Sequence, residues 1–142
     1  MDMSFYKILI ASSLLFTATL SLADLPRSTS PAGAQVYIVS PENGAVLSSP
    51  VTVVFGLKGM GVSPAGIERE KTGHHHLLVD AEQLPPVNVP MGAQVKHFGG
   101  GQTQTQLELS PGDHSLQLIL GNHLHIPHDP VVASKKINIT IK

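Results

Sequence analysis

The chain has 142 residues, with nine Lys and Arg against ten Asp and Glu, eight His, no Cys and no Trp. A net charge of −1 without a basic stripe makes nucleic acid or an anionic membrane surface a poor partner. The missing cysteines exclude disulfide staples, thiolate metal sites and a bacterial lipid anchor.

The first 23 residues read as a signal peptide. Lys7 supplies the positive start, Ile8 to Leu22 is apolar, and Ser21-Leu22-Ala23 offers small residues at the two positions a peptidase reads. Cleavage near Ala23 removes Lys7 together with Asp2, so the net charge stays at −1. The mature chain is expected to be exported to a bacterial periplasm, with no membrane association after cleavage. Residues 24–34 (Asp-Leu-Pro-Arg-Ser-Thr-Ser-Pro-Ala-Gly-Ala) read as a flexible leader, and residues 35–142 as one domain, expected to be a monomer.

From there the pattern is short strands and turns. Val36 and Ile38 alternate with polar neighbours until Ser40-Pro41-Glu42-Asn43-Gly44 stops the run. Val51, Val53, Phe55 and Leu57 form one face of a second strand, and residues 74–80 a third. A fourth is expected around Ala93 to Phe98. Alternation is clearest in the last three, carried by Thr103 to Leu109, by Leu116, Leu118 and Leu120, and by Ile137, Ile139 and Ile141. Seven short strands with Gly/Pro/Asn punctuation predict an all-β, immunoglobulin-like antiparallel sandwich. Ser110-Pro111-Gly112-Asp113-His114 resembles the corner between the fifth and sixth strands of such domains, with His114 where a tyrosine bonds back to the backbone. His114 is therefore read as structural.

The remaining histidines cluster. His74, His75 and His76 are consecutive, His97 precedes Gly99-Gly100-Gly101, and His123, His125 and His128 share one loop. In a seven-strand sandwich these three groups fall at one end, while His114 falls at the other. The strand period of two places His74 and His76 on one side, and His75 with Leu77 and Val79 on the more apolar side. His74, His76, His123 and His125 are thus the leading metal ligands, with His97, His128 and Asp129 in reserve. Met60 and Met91 are soft donors in loops. Imidazole-rich sites suit copper or zinc. Ligation by ordinary imidazoles predicts binding that weakens as pH falls through about 6 to 6.5.

Three blocks resemble a known family: Gly73-His74-His75-His76-Leu77-Leu78-Val79-Asp80, His97-Phe98-Gly99-Gly100-Gly101-Gln102-Thr103, and Gly121-Asn122-His123-Leu124-His125-Ile126-Pro127-His128. Together they resemble domain-of-unknown-function family 4399 over about Val36 to Ile141. The resemblance implies a small exported bacterial domain without an assigned activity, and it carries over no catalytic residue.

Motifs for catalysis are sparse. His74 and His76 superficially fit the His-X-His ligands of copper/zinc superoxide dismutases, but the cysteine pair of that family is absent. No Gly-X-Ser-X-Gly elbow or paired carboxylates stand out. The expectation is therefore a metal-binding domain, with a metal-delivery or envelope protein as partner. The alternative class is a non-metal binding or structural module of the cell envelope that recognises a protein or glycan.

Overall fold

The computed structural model describes residues 25–142, so the signal-peptide segment 1–23 lies outside the described residues. Nine strands follow in chain order: β1 (Gln35–Ser40), β2 (Val46–Leu47), β3 (Val51–Lys58), β4 (Gly61–Val62), β5 (Thr72–Val79), β6 (Lys96–His97), β7 (Gln104–Leu107), β8 (Gly112–Gly121) and β9 (Ile137–Ile141). Among the described residues there is no helix.

The strands make two sheets, one ordered β1-β3-β7 and the other β2-β9-β8-β5-β4, with β6 also on β5. Leaving out β2 and β4 and counting β6 as the fourth strand, these are first-second-fifth against third-sixth-seventh, the partition of an immunoglobulin-like sandwich. The fourth strand expected at 93–98 is only two residues long, and it pairs antiparallel with β5. The additional short strands β2 and β4 pair in parallel with β9 and β5.

Period-two alternation builds the core. Val51, Val53 and Phe55 of β3 face Leu77, Leu116, Leu118, Leu120, Ile139 and Ile141 of the second sheet. The outward side of that sheet is covered as well. Leu78 and Ile119 pack with Met91 and Val95 of the long loop 81–95, forming a second apolar cluster. β5 is therefore buried on both faces over Gly73 to Leu78. A loop that is itself mostly exposed thus hides one stripe of a sheet face from water.

The leader segment runs along the connection between β8 and β9. Ser30 N–H donates to Asp129 O (2.9 Å) and Asp129 N–H to Ser28 O (3.0 Å). The Arg27 guanidinium donates to the Pro127 and His128 carbonyls.

At the opposite end, His114 Nδ1 lies 2.8 Å from Asp80 Oδ2, and His114 Nε2 lies 2.8 Å from Ser110 O. Ser115 N–H donates to the other Asp80 oxygen (2.8 Å). Both partners of the ring only accept, so the pair of bonds is complete only when His114 is an imidazolium. The bond to Asp80, then that to Ser110, raises the His114 pKa from 6.5. Burial alone would raise Asp80, but the His114 and Ser115 hydrogen bonds prevail and hold it below 3.8. His114 therefore contributes stability that is fully present below pH 6.5 and lost as pH rises through its folded pKa. Asp80 contributes stability present above pH 3.8 and lost as pH falls through its folded pKa. Denaturant titrations of His114→Ala against the parent protein should show a difference greatest between those values. At this partly exposed site it should be at most about 1 kcal/mol, fading as pH rises through the folded pKa of His114.

Candidate metal centre

The register of β5 decides where each member of the histidine triplet points. His74 pairs with Gly121, His76 with Ile119 on β8 and with His97 on β6, and His75 with Leu120. Paired residues project to the same side of a sheet. His74, His76 and His97 therefore share the outward face, and His75 enters the sandwich core. There its ring stacks at 5.1 Å from Phe55, which in turn lies 4.9 Å from Phe98.

A fourth imidazole arrives from the turn after β8. Asn122 is buried, and its Oδ1 accepts from Leu124 N–H and Ile126 N–H (both 3.0 Å). His125 N–H closes the turn onto Asn122 O (2.8 Å), and Asn122 Nδ2 donates to Ser28 Oγ (3.1 Å). This clamp holds His125 at φ 66°, a left-handed conformation that costs a non-glycine residue on the order of 1–2 kcal/mol. The strained backbone delivers the His125 ring to the outward face of β5.

The four rings meet there. Centroid separations are 4.6 Å for His74–His76, 5.0 Å for His74–His97 and His74–His125, 4.6 Å for His97–His125, and 5.2 Å for His76–His97. One nitrogen each from His74, His97 and His125 lies within 4.8 Å of the others. His74 and His76 are fully buried, His125 is half-buried and His97 is exposed. Two glycines make room. A Cβ on Gly99 would come within 2.6 Å of His97 Nε2, and one on Gly121 within 2.6 Å of His76 Cε1.

Neither nitrogen of His74 or of His76 has a hydrogen-bond partner among the described residues. Leaving buried polar atoms unpaired costs about 1–3 kcal/mol each. Burial first, then the neighbouring imidazoles, lowers the His74 pKa to about 4 and the His76 pKa to about 3. Burial and then His125 lower His97 as well. His74 and His76 therefore remain neutral across ordinary pH, with lone pairs available. The cluster contains no carboxylate, and an all-nitrogen set is poorly suited to Ca²⁺ or Mg²⁺, which take oxygen ligands. These residues could hold a transition-metal ion.

Of the six histidines expected as ligands, His74, His76, His97 and His125 converge, whereas His123 and His128 stand apart. His128 is buried with its nitrogens turned to carbonyls, Nε2 at 3.0 Å from Thr72 O and Nδ1 at 3.4 Å from Leu120 O. Burial is the largest influence on it and lowers its pKa, against those two bonds. It brackets the turn against β5 rather than facing the cluster. His123 was paired with His125 by strand periodicity, which does not apply inside a turn. It lines a small polar cavity with Ser63, Asn122 and His74. Asp129 is drawn towards Arg27, at 3.4 Å, with its side chain largely exposed. Met60 packs against the main core, while Met91 belongs to the outer apolar cluster, with its Cε near Gly121. Asn122 was missed by sequence reasoning. Its only signal was a Gly-Asn pair at the end of a strand, an ordinary mark of a turn.

Fold and site together define a small all-β sandwich that carries an imidazole cluster on the outer face of one sheet. Residues 53–142 match the family model described as Domain of unknown function (DUF4399), and the chain belongs to that family. No curated protein and no solved structure matches it.

Two outcomes follow from the burial of these rings. Below pH 6.5 the unfolded chain takes up protons that folded His74 and His76 refuse until about pH 4 and about pH 3. Their contribution is thus present above 6.5 and lost as pH falls through the folded values. Metal-free protein should lose on the order of a few kcal/mol of stability across that range, and a His74→Leu/His76→Leu variant should show a flatter acid profile by circular dichroism. His75 is buried without a hydrogen-bond partner among the described residues. Burial is the largest influence on its pKa and lowers it. His75→Leu, of similar volume and apolar, should therefore keep or raise the thermal midpoint.

Proposed function

We propose that this protein is an exported, periplasmic domain that binds one copper or zinc ion through His74, His76, His97 and His125. The observation that carries the reading is the convergence of these four rings around the buried nitrogens of His74 and His76, which have no hydrogen-bond partner among the described residues. An all-imidazole set with one exposed member supports binding of a borderline transition metal, with exchange through the His97 side. The clamped, left-handed turn at His125 supports it further, because backbone strain of this kind concentrates at ligand sites. Export rests on Lys7 and the apolar run 8–22. An exposed ligand at the rim suits transfer to a metal-delivery or envelope protein.

The pH dependence is set by the burial of the rings. His74 and His76 have no proton to lose at pH 5 to 6, so acid competes less than ordinary imidazoles would imply. Elemental analysis of protein purified without an affinity tag, followed by Cu(II) and Zn(II) titration, tests the reading. One ion per chain is expected, with an affinity that falls less between pH 7.5 and pH 6 than four exposed imidazoles would impose. Binding should be reduced at least about tenfold in His74→Ala and in His125→Ala, and unaltered in His123→Ala. Weak binding that is indifferent to His74 and His125 would refute it.

A further inference from the structure

We propose that Met91 supplies a thioether donor to the histidine cluster, which makes the site one for Cu(I). This rests on the metal reading above and names the ion. Met91 belongs to the loop 81–95, in which Pro85, Pro86 and Pro90 leave little regular structure, and it is buried with only 7% of its surface exposed. Its backbone N–H donates to His125 O (2.9 Å), so the loop is fastened to the same turn that delivers a ligand ring. Its side chain ends above Gly121. The place a Cβ would take on that glycine lies 2.8 Å from Met91 Cε, 2.6 Å from His76 Cε1 and 3.1 Å from His76 Nδ1. The thioether end and the His76 ring thus occupy one gap, which exists because residue 121 has no side chain.

Nitrogen donors alone serve Zn(II) and Cu(II), and thioethers select Cu(I). With the methyl end of Met91 beside the His76 ring, whose nitrogens are unpartnered among the described residues, a soft neutral thioether would complete a set that suits a monovalent soft ion. The set brings no charge of its own to balance a divalent one. Apolar packing ties Met91 to Leu78, Val95 and Ile119 in the outer cluster, against which Ala81, Val131 and Ala133 also pack. Contact with the His76 gap and the tie to His125 go beyond that.

The test compares parent protein with Met91→Leu, a near-isosteric change that keeps the apolar packing. Cu(I) affinity is measured anaerobically by competition with a chromogenic Cu(I) chelator, and Zn(II) affinity by the corresponding Zn(II) competition. Copper-edge X-ray absorption of the Cu(I)-loaded parent protein reports directly on sulfur coordination, independently of how the variant folds. A sulfur neighbour in the parent protein is expected. Cu(I) affinity in Met91→Leu should drop about tenfold or more, with Zn(II) affinity and the thermal midpoint unchanged. A shell of nitrogen alone, or equal Cu(I) affinity in the two proteins, overturns the methionine assignment while leaving the histidine site standing. Failure of the parent protein to bind either ion stoichiometrically overturns both.

Discussion

Two imidazoles, those of His74 and His76, are sealed on the outward face of a β-sheet with no hydrogen-bond partner among the described residues for any of their nitrogens. Everything characteristic of this domain is arranged around that burden. The loop 81–95 and the turn 122–128 cover a sheet face that an ordinary sandwich would leave to water. Gly99 and Gly121 give up side chains where rings must fit. His125 accepts a left-handed backbone to bring a third ring alongside. A fold selected for stability alone would place apolar residues at these positions, since unsatisfied buried nitrogens work against it.

The two ends of the sandwich treat histidine in opposite ways. At the Asp80–Ser110 corner, His114 faces only acceptors and is held towards its charged form. At the other end, burial and mutual proximity hold His74 and His76 in the neutral form. One residue type thus acts as a cationic fastener at one end and as an array of lone pairs at the other. His75 and His128 show two further uses, an aromatic filler beside Phe55 and a bracket between the Thr72 and Leu120 carbonyls. Counting histidines would not separate these four roles, because only the surroundings of each ring do so.

The segment before β1 takes part in the architecture. Ser28 bonds to Asn122, and Arg27 to the carbonyls of Pro127 and His128, so residues 27–30 hold the turn that carries His125. The turn that carries His125 is therefore fixed from three sides: by Asn122 within it, by His128 against β5, and by the leader from outside.

Sequence alone determined the all-β class, the main strands and the sidedness of the triplet. Period-two alternation in Val51 to Leu57, Leu116 to Leu120 and Ile137 to Ile141 reports directly which face of each strand is apolar, and the same period separates His75 from His74 and His76. It did not decide which loop histidines would join them. His123 and His125 have the same spacing as a strand pair, but they lie in a turn whose geometry is set by Asn122 and by distant Ser28. Nor did it disclose that the outward face of β5 is covered, since Met91 and Val95 come from a proline-broken loop with no periodic signal. Local pattern fixes the direction of a side chain on its own strand. What that side chain meets depends on contacts between residues far apart in the chain, and those arise only when the sheets and loops close around it.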